Sequence, residues 1–144
     1  MVRASYGNAP EVIARNDNMV SVNTTLEMDL TGQACSESIG SMQFSGTGGA
    51  TDYAYGAMHS KGGRGILAFP STARHGTVSK IKTQLTPGAV VSISRNLVDY
   101  VVTEYGIAQL RGRTVRERVH ALIAIAHPDF RKDLEAEARK LMLI

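Results

Sequence analysis

The sequence predicts an α/β fold, and three features predict it. Gly65-Ile66-Leu67-Ala68-Phe69 is a continuous apolar run closed by Pro70, as a buried central strand should be. A helical pattern over residues 51–59 lies between strand patterns rather than beyond them. From Thr114 onward the chain turns helical. Strands with a helix between them, followed by helices, belong to the α/β class.

Taken in order, residues 11–15 are expected as a short helix ended by the turn formers Asn16-Asp17-Asn18. Residues 19–23 read as a short apolar strand. Residues 25–30 alternate polar and apolar, as a half-buried strand does. Gly32 and the polar stretch to Gly40 read as a loop. Next comes Ser45-Gly46-Thr47-Gly48-Gly49, a glycine loop that opens the helix of residues 51–59. On that helix Ala50, Ala54, Ala57 and Met58 make a narrow face of small residues able to lie close to a sheet. Gly62 and Gly63 stop it. Residues 78–85 alternate, placing Lys80, Lys82 and Gln84 on one face. Thr86-Pro87-Gly88 suits a type II turn, and residues 89–94 return as the second strand of a hairpin. Residues 98–102 form another short β-run. Thr114-x-x-Glu117 has the spacing of a capping box, with Val115, Val119, Leu122, Ile123 and Ala126 as the apolar stripe behind it. Pro128 breaks that helix, Asp129 caps the next, and residues 130–143 complete an amphipathic C-terminal helix.

At 144 residues the chain is expected to form a single domain over 1–144. That length can remove roughly two thirds of the unfolded surface from water. A hydrophobic content of 43% and a charged content of 20% are ordinary for a soluble globular protein. The net charge of +3 admits acidic small-molecule ligands without requiring nucleic acid or a membrane. The longest strongly apolar stretch, residues 121–126, is far short of the ~20 residues that span a bilayer. Residues 1–8 lack the apolar centre of a signal peptide. Cys35 is the only cysteine, so no internal disulfide can form, and a reducing, cytoplasmic setting is expected.

The glycine loop carries the chemistry hardest to explain by packing. Three glycines in four positions free the backbone to turn and to approach a ligand closely. A helix starting just after them aims unpaired N–H groups and a positive dipole end at the loop, a place for a phosphate or a developing oxyanion. The spacing Gly46-x-Gly48-Gly49 is neither the dinucleotide fingerprint nor a P-loop. The pattern alone serves a structural turn as well as a ligand cradle; the small-faced helix behind it favours the cradle. Asn23 ends a strand, where its amide can orient a carbonyl or carboxylate or simply make a local turn bond. Asp52 suits the helix dipole. Lys80 and Lys82 read as a solvated face or, more sharply, as a phosphate contact. His59, His75, His120 and His127 show no metal-like spacing, and no metal is expected. Arg111, Arg113, Arg116 and Arg118 lack interleaved aromatics, so a solvated helix start is favoured over a nucleic-acid surface. Glu104 has the chemistry of a catalytic carboxylate but no local mark of activation.

Several segments together resemble one family. They are Asn16-Asp17-Asn18-Met19-Val20-Ser21-Val22-Asn23, Asp29-Leu30-Thr31-Gly32-Gln33, the glycine loop, and Leu67-Ala68-Phe69-Pro70-Ser71-Thr72-Ala73. To these are added residues 98–112, centred on Thr103-Glu104-Tyr105-Gly106, and His127-Pro128-Asp129-Phe130. In order and phrasing they resemble the C-terminal domain of the acetyl-CoA hydrolase/transferase family, which includes 4-hydroxybutyrate, butyryl and succinyl CoA-transferases. The match runs from about residue 11 to the end.

The resemblance implies a class I CoA-transferase fold, an open sheet flanked by helices, as one of two halves with the active site between them. It implies transfer of CoA between an acyl-CoA and a short-chain carboxylate, in the setting of acetate metabolism. A glutamate attacks the acyl-CoA, giving an acyl-glutamyl anhydride and then a glutamyl-CoA thioester. Gly46, Gly48 and Gly49 match the positions whose amides support the thioester oxyanion, and Asn23 matches an asparagine near the substrate carboxylate. Thr47 and Lys80 join the three glycines as expected CoA contacts, CoA being substrate rather than a permanently bound cofactor. The family's nucleophilic glutamate lies upstream of the Asn-Asp-Asn segment, and Glu11, Glu27 and Glu104 sit in the wrong context for it. The chain is therefore expected to be an inactive C-terminal part whose partner is the N-terminal domain of the same enzyme. An apolar face left open by that loss makes a homo-oligomer an expectation too. The alternatives are an acyl-CoA hydrolase of the same family and a non-catalytic module binding a nucleotide or phosphosugar. No nucleic-acid or membrane partner is expected.

Overall fold

The computed structural model describes residues 2–144. Its elements in chain order are α1 (Ala4–Gly7), α2 (Pro10–Ile13), β1 (Val20–Asn23), β2 (Glu27–Asp29), β3 (Ala34–Cys35), β4 (Ser38–Ile39), β5 (Met42–Gln43) and α3 (Ala50–His59). They continue as β6 (Arg64–Ala68), β7 (Thr72–Ala73), β8 (Val78–Ser79), β9 (Ile81–Lys82), β10 (Tyr100–Thr103), β11 (Gly106–Gln109), α4 (Val115–Ile125) and α5 (Pro128–Lys140).

The main sheet is built on β6, the strand its apolar run predicts, in the order β1-β6-β10-β11. β1 and β10 both run parallel to β6, so that Asn23 and Val101 each lie opposite Leu67. β11 returns antiparallel on β10, with Val102 opposite Ile107. Parallel neighbours cannot be joined by a tight turn. The chain therefore leaves the sheet twice. The first excursion carries β2 to β5 and α3; the second carries β7 to β9.

Side chains alternate across this sheet with period two. Ser21, Leu67, Val101, Thr103 and Ala108 are buried. Leu67, Val101 and Ala108 share one core cluster with Met28, Leu30 and Ile81 of the small sheet region and with Val119, Leu122 and Ile125 of α4. Thr103 Oγ1 donates to Ile125 O at 2.6 Å, which fixes the end of α4 on this face. α3 lies against β1 and β6, and its Ala54 borders the same small cavity as Ser21, Gly65 and Leu67. Of the expected small-residue face, Ala54 and Ala57 are buried and Ala50 and Met58 half-buried, while Gly56, which that face did not include, is buried as well. A Cβ on Gly56 would come within 2.5 Å of Ile13 Cγ2, so only glycine lets α2 pack there. The capping box of α4 is formed, with Glu117 N donating to Thr114 Oγ1 at 3.3 Å and Thr114 N to Glu117 Oε2 at 2.8 Å.

The expected hairpin of residues 78–94 is not formed. β8 pairs antiparallel with β7, β9 pairs parallel with β2, and residues 89–94 contribute only a bridge between Ile93 and Ala34. The cause is a buried carboxylate. Glu27, 5% exposed, draws Lys82 Nζ to 2.6 Å and accepts from Thr86 N at 2.7 Å and Thr86 Oγ1 at 2.8 Å. A buried charge must find partners, and satisfying Glu27 turns residues 82–86 onto β2 instead of into a hairpin. The turn after it survives, with Ala89 N donating to Thr86 O and Gly88 at φ +85°.

Other expectations shift for similar reasons. Glu27 and Asp29, read as the wet side of a half-buried strand, are both buried. Asp29 is satisfied locally by Thr31 N, Thr31 Oγ1, Gln33 N and Gln33 Nε2. The loop expected up to Gly40 holds the two-residue strands β3 and β4. β11, which the sequence reading left without an element, is only four residues long, and its pattern is too brief to stand out. In α5 the cap is His127, whose Nδ1 accepts from Asp129 N at 3.3 Å, and Pro128 takes the first helical position where its missing N–H costs nothing.

Glu27 yields a test of this arrangement. Burial pushes its carboxyl up, but Lys82 and Thr86 outweigh burial and hold it below its ordinary 4.5. A depressed carboxyl contributes stability that is complete above its unfolded pKa and is lost as pH falls through the lower folded value. Lys82→Met is expected to cost about 2 kcal/mol at neutral pH and to flatten the acid limb of a melting-temperature scan below pH 5. An unchanged limb would remove Glu27 from this role.

Candidate functional site

Three parallel strands end at one edge of the sheet, and in open α/β sheets ligands bind outside the carboxyl ends of the strands. β1 ends there in Asn23, β6 runs out through Pro70-Ser71, and β10 through Glu104-Tyr105. α3 joins the β1 side to β6 and has to run back against the strand direction, so its N-terminus arrives at the same edge.

That N-terminus carries the glycine loop. Residues 45–48 are exposed, and Gly49 is the N-cap of α3 without any side-chain cap. Among the described residues, no acceptor bonds the amides of residues 46–52. Free amides at the end of a ten-residue helix concentrate its positive dipole. The three glycines differ. A Cβ on Gly49 would meet Asn8 Nδ2 at 2.9 Å, so Gly49 is fixed by packing. Gly48 sits at φ +58°, which favours glycine, while space beside both Gly46 and Gly48 is open. Gly46 has neither a packing nor a dihedral reason to be glycine within this chain. Thr47 is exposed beside them, and Thr51 Oγ1 anchors the helix start by donating to Ser92 O at 2.6 Å.

Asn23 is half-buried, and its Nδ2 donates to Ser21 Oγ at 2.9 Å, so a local bond holds the amide in place. Among the described residues nothing donates to its Oδ1. Lys80 and Lys82 do not share a solvated face. Lys82 is committed to Glu27. Lys80 Nζ lies 5.2 Å from the Phe69 ring centroid, and burial pushes its ammonium down while Glu104 pulls it the other way.

Glu104 is joined to the exit of β6. Its Oε2 accepts from Ser71 N at 2.9 Å and its Oε1 from Ser71 Oγ at 2.6 Å. Ser71 is wholly buried, and its carbonyl accepts from Lys80 N at 2.8 Å. Burial opposes ionisation of Glu104, but the Ser71 bonds and His127 outweigh it and hold the carboxyl below 4.5. Sequence reasoning weighed Glu104 and passed over Ser71. The available signal was position: each directly follows, or nearly follows, a β-run at its exit. The structure thus brings Asn23, Ser71, Lys80 and Glu104 to one edge with the glycine loop. A cavity of about 600 Å³ lies elsewhere, between residues 77–87 and α5. Its lining offers Asp133 and Glu137 against the already paired Lys82, so it is poorly suited to an anion.

Comparison with known proteins gives consistent matches. The model of the acetyl-CoA hydrolase/transferase C-terminal domain matches residues 1–138. A 4-hydroxybutyrate coenzyme A transferase of Clostridium kluyveri is 58% identical over 135 residues, 94% of this chain and 32% of that protein. A succinyl-CoA:cyclohexane-1-carboxylate CoA transferase of Geobacter metallireducens is 54% identical over 94% of this chain and 31% of its own length. The crystal structure of RipA from Yersinia pestis superposes with a TM-score of 0.90 at 47% identity, covering 96% of this chain and 31% of that one. The chain spans about a third of the length of these relatives.

The Ser71–Glu104 bonds are open to direct measurement. A carbon-13 NMR titration is expected to place the Glu104 carboxyl below the ordinary glutamate range. In Ser71→Ala the midpoint should move up; a midpoint that stays put would mean that Ser71 does not hold this carboxylate.

Proposed function

The chain belongs to the acetyl-CoA hydrolase/transferase C-terminal domain family, and from that premise we propose that it forms the CoA-thioester side of a CoA-transferase active site. The observation that carries the reading is the exposed glycine loop, with unpartnered amides over residues 46–52 and open space beside Gly46 and Gly48. In the proposed reaction a glutamate that lies upstream of the Asn16-Asp17-Asn18 segment in the longer enzyme attacks the thioester carbonyl. The carbonyl oxygen becomes an oxyanion, and the amides around Gly46, Gly48 and Gly49 stabilise it. CoA thiolate leaves as the acyl-glutamyl anhydride forms. The thiolate then attacks the glutamyl carbonyl, releasing the first acid and giving glutamyl-CoA. A second short-chain carboxylate attacks that thioester and expels the thiolate. The thiolate attacks the new acyl carbonyl, releasing the second acyl-CoA and the free glutamate. Asn23, held by Ser21, orients the carboxylate. Thr47 and Lys80 contact CoA, Lys80 as a cation for phosphate.

Hydrolysis is the same chemistry with water in place of the second carboxylate, and the family's name covers both. We place the exchange in cytoplasmic acetate metabolism, in keeping with a lone buried thiol.

Adding CoA to nitrogen-15-labelled protein is expected to shift the amides of residues 46–50. Gly48→Val should abolish the shifts, because a β-branched residue is strained at φ +58°. Lys80→Ala should weaken binding by up to about tenfold, the loss of one charge-assisted contact. Binding of ADP or a sugar phosphate without CoA would overturn the reading in favour of a nucleotide module. The 144-residue chain alone is expected to show no transfer between acetyl-CoA and a short carboxylate; robust turnover would move the nucleophile into this chain, with Glu104 the first to test.

A further inference from the structure

β11 is an edge strand of the main sheet, and the pairing on its inner side specifies its free side. Leu110 N donates to Asp99 O at 2.8 Å, and these two residues continue the register in which Gln109 faces Tyr100. In an antiparallel ladder, hydrogen-bonded pairs alternate with pairs that are not bonded. Ala108 and Gly106 therefore bond to β10 as Leu110 does. The N–H and C=O groups of Ile107 and Gln109 point away from the sheet. β10 shows the same alternation: its Val102 O accepts from Phe69 N at 3.1 Å, on the side away from β11. Among the described residues, no backbone partner outside the ladder reaches the outward groups of Ile107 and Gln109. Such an edge is a template for another strand, and natural edges are guarded by charge or proline. Residues 106–109 hold neither, and Ile107 is 69% exposed. Beside the edge runs an open groove of about 380 Å³. Ile107 and Gln109 form one wall; Arg113 and, from α4, Glu117, Ala121 and Ala124 form the other.

We propose that this edge pairs with the same edge of a second copy of the chain, β11 against β11, across a two-fold axis at Ala108. The register closes on itself there. With Ala108 on the axis, Ile107 of each copy lies opposite Gln109 of the other. Both positions carry outward groups, so every outward N–H and C=O finds a partner. The axial pair is of the unbonded kind, which brings Cα atoms to about 4.5 Å; the methyl side chain of alanine suits that approach. The helical wall of the groove is also self-compatible. Arg113 stands 3.6 Å from Glu117, so the wall is electrically balanced and two copies meet without like-charge repulsion. Ala121 and Ala124 keep it low where the copies come together. β1 is the other open edge of the sheet. Pairing β11 with β1 of the next copy would repeat without end, whereas the two-fold arrangement closes as a dimer. The contact is small, so the dimer is a weak one with dissociation in the micromolar range. The pairing does not depend on the proposed function.

Sedimentation velocity of the 144-residue chain at rising concentration is expected to show a monomer–dimer equilibrium. Gln109→Pro removes one outward N–H and leaves those of Ala108 and Leu110 to β10, so it should stay monomeric while keeping its circular dichroism spectrum. Gln109→Ala keeps the N–H and should dimerise as the parent does. Ile107→Lys leaves the backbone intact and places a charge beside the axis; it too should be monomeric, and it serves if the proline variant does not fold. Cysteine pairing reads the register. Ile107→Cys and Gln109→Cys, prepared separately, then mixed and mildly oxidised, should cross-link to each other more than either does to itself, because only the mixed pair lies directly opposite. The native thiol of Cys35 is buried and does not compete. A dimer that persists in both Gln109→Pro and Ile107→Lys would overturn the proposal, as would self-cross-linking equal to that of the mixture. A parent chain that is monomeric throughout would overturn it as well and leave the edge to a strand of another protein.

Discussion

Parallel pairing on both flanks of β6 is the constraint from which the rest of the molecule follows. A strand with two parallel neighbours cannot receive its chain from a hairpin on either side. Each neighbour must be reached by an excursion, and each excursion deposits something useful. The one from β1 to β6 brings α3 back against the sheet and leaves the glycine loop at the strand exits. The one from β6 to β10 delivers Lys80 and the residues that satisfy Glu27. The same parallel register gathers Asn23, Ser71 and Glu104 at a single edge, although they lie far apart in sequence.

Two glutamates hold these excursions with the same device. Glu27 accepts the backbone N–H and the hydroxyl of Thr86; Glu104 accepts the backbone N–H and the hydroxyl of Ser71. In each case a proline adjoins the clasped residue, Pro87 after Thr86 and Pro70 before Ser71, so a stiff segment is gripped at one point. Their surroundings set them apart. Glu27 is buried, and the Lys82 cation joins Thr86 in holding its carboxyl below the ordinary range against that burial. Glu104 is exposed and keeps its charge at the strand exits, beside the half-buried Lys80. The first clasp shapes the fold and the second shapes the edge at which we place the chemistry.

What could be read from the sequence was local and periodic. The buried strand at β6, the small-faced helix α3, the capping box at Thr114 and the turn at Gly88 each follow from a few neighbouring residues, and each is present. The glycine loop was legible because glycine is informative about the backbone itself. What failed was pairing. The alternation of residues 78–85 is real, yet alternation does not say which strand a segment will join. Here the partner was chosen by Glu27, more than fifty positions earlier, whose burial no local pattern reveals. Ser71 escaped notice for the same reason: its role exists only because β6 and β10 end side by side.

Cys35 offers the molecule a chemical clock. It is wholly buried in β3, with its Sγ 3.3 Å from both the carbonyl and the hydroxyl of Ser38, and it is the only thiol in the chain. β3 pairs antiparallel with β2, Cys35 opposite Glu27, and an alkylating reagent in solution does not reach the thiol while that ladder stays closed. The rate of its modification therefore counts openings of that ladder one by one, without labels, probes or engineered sites. Since β2 also carries Glu27, the same rate, compared at one fixed pH between the parent chain and a clasp variant, reports how firmly the first clasp is closed.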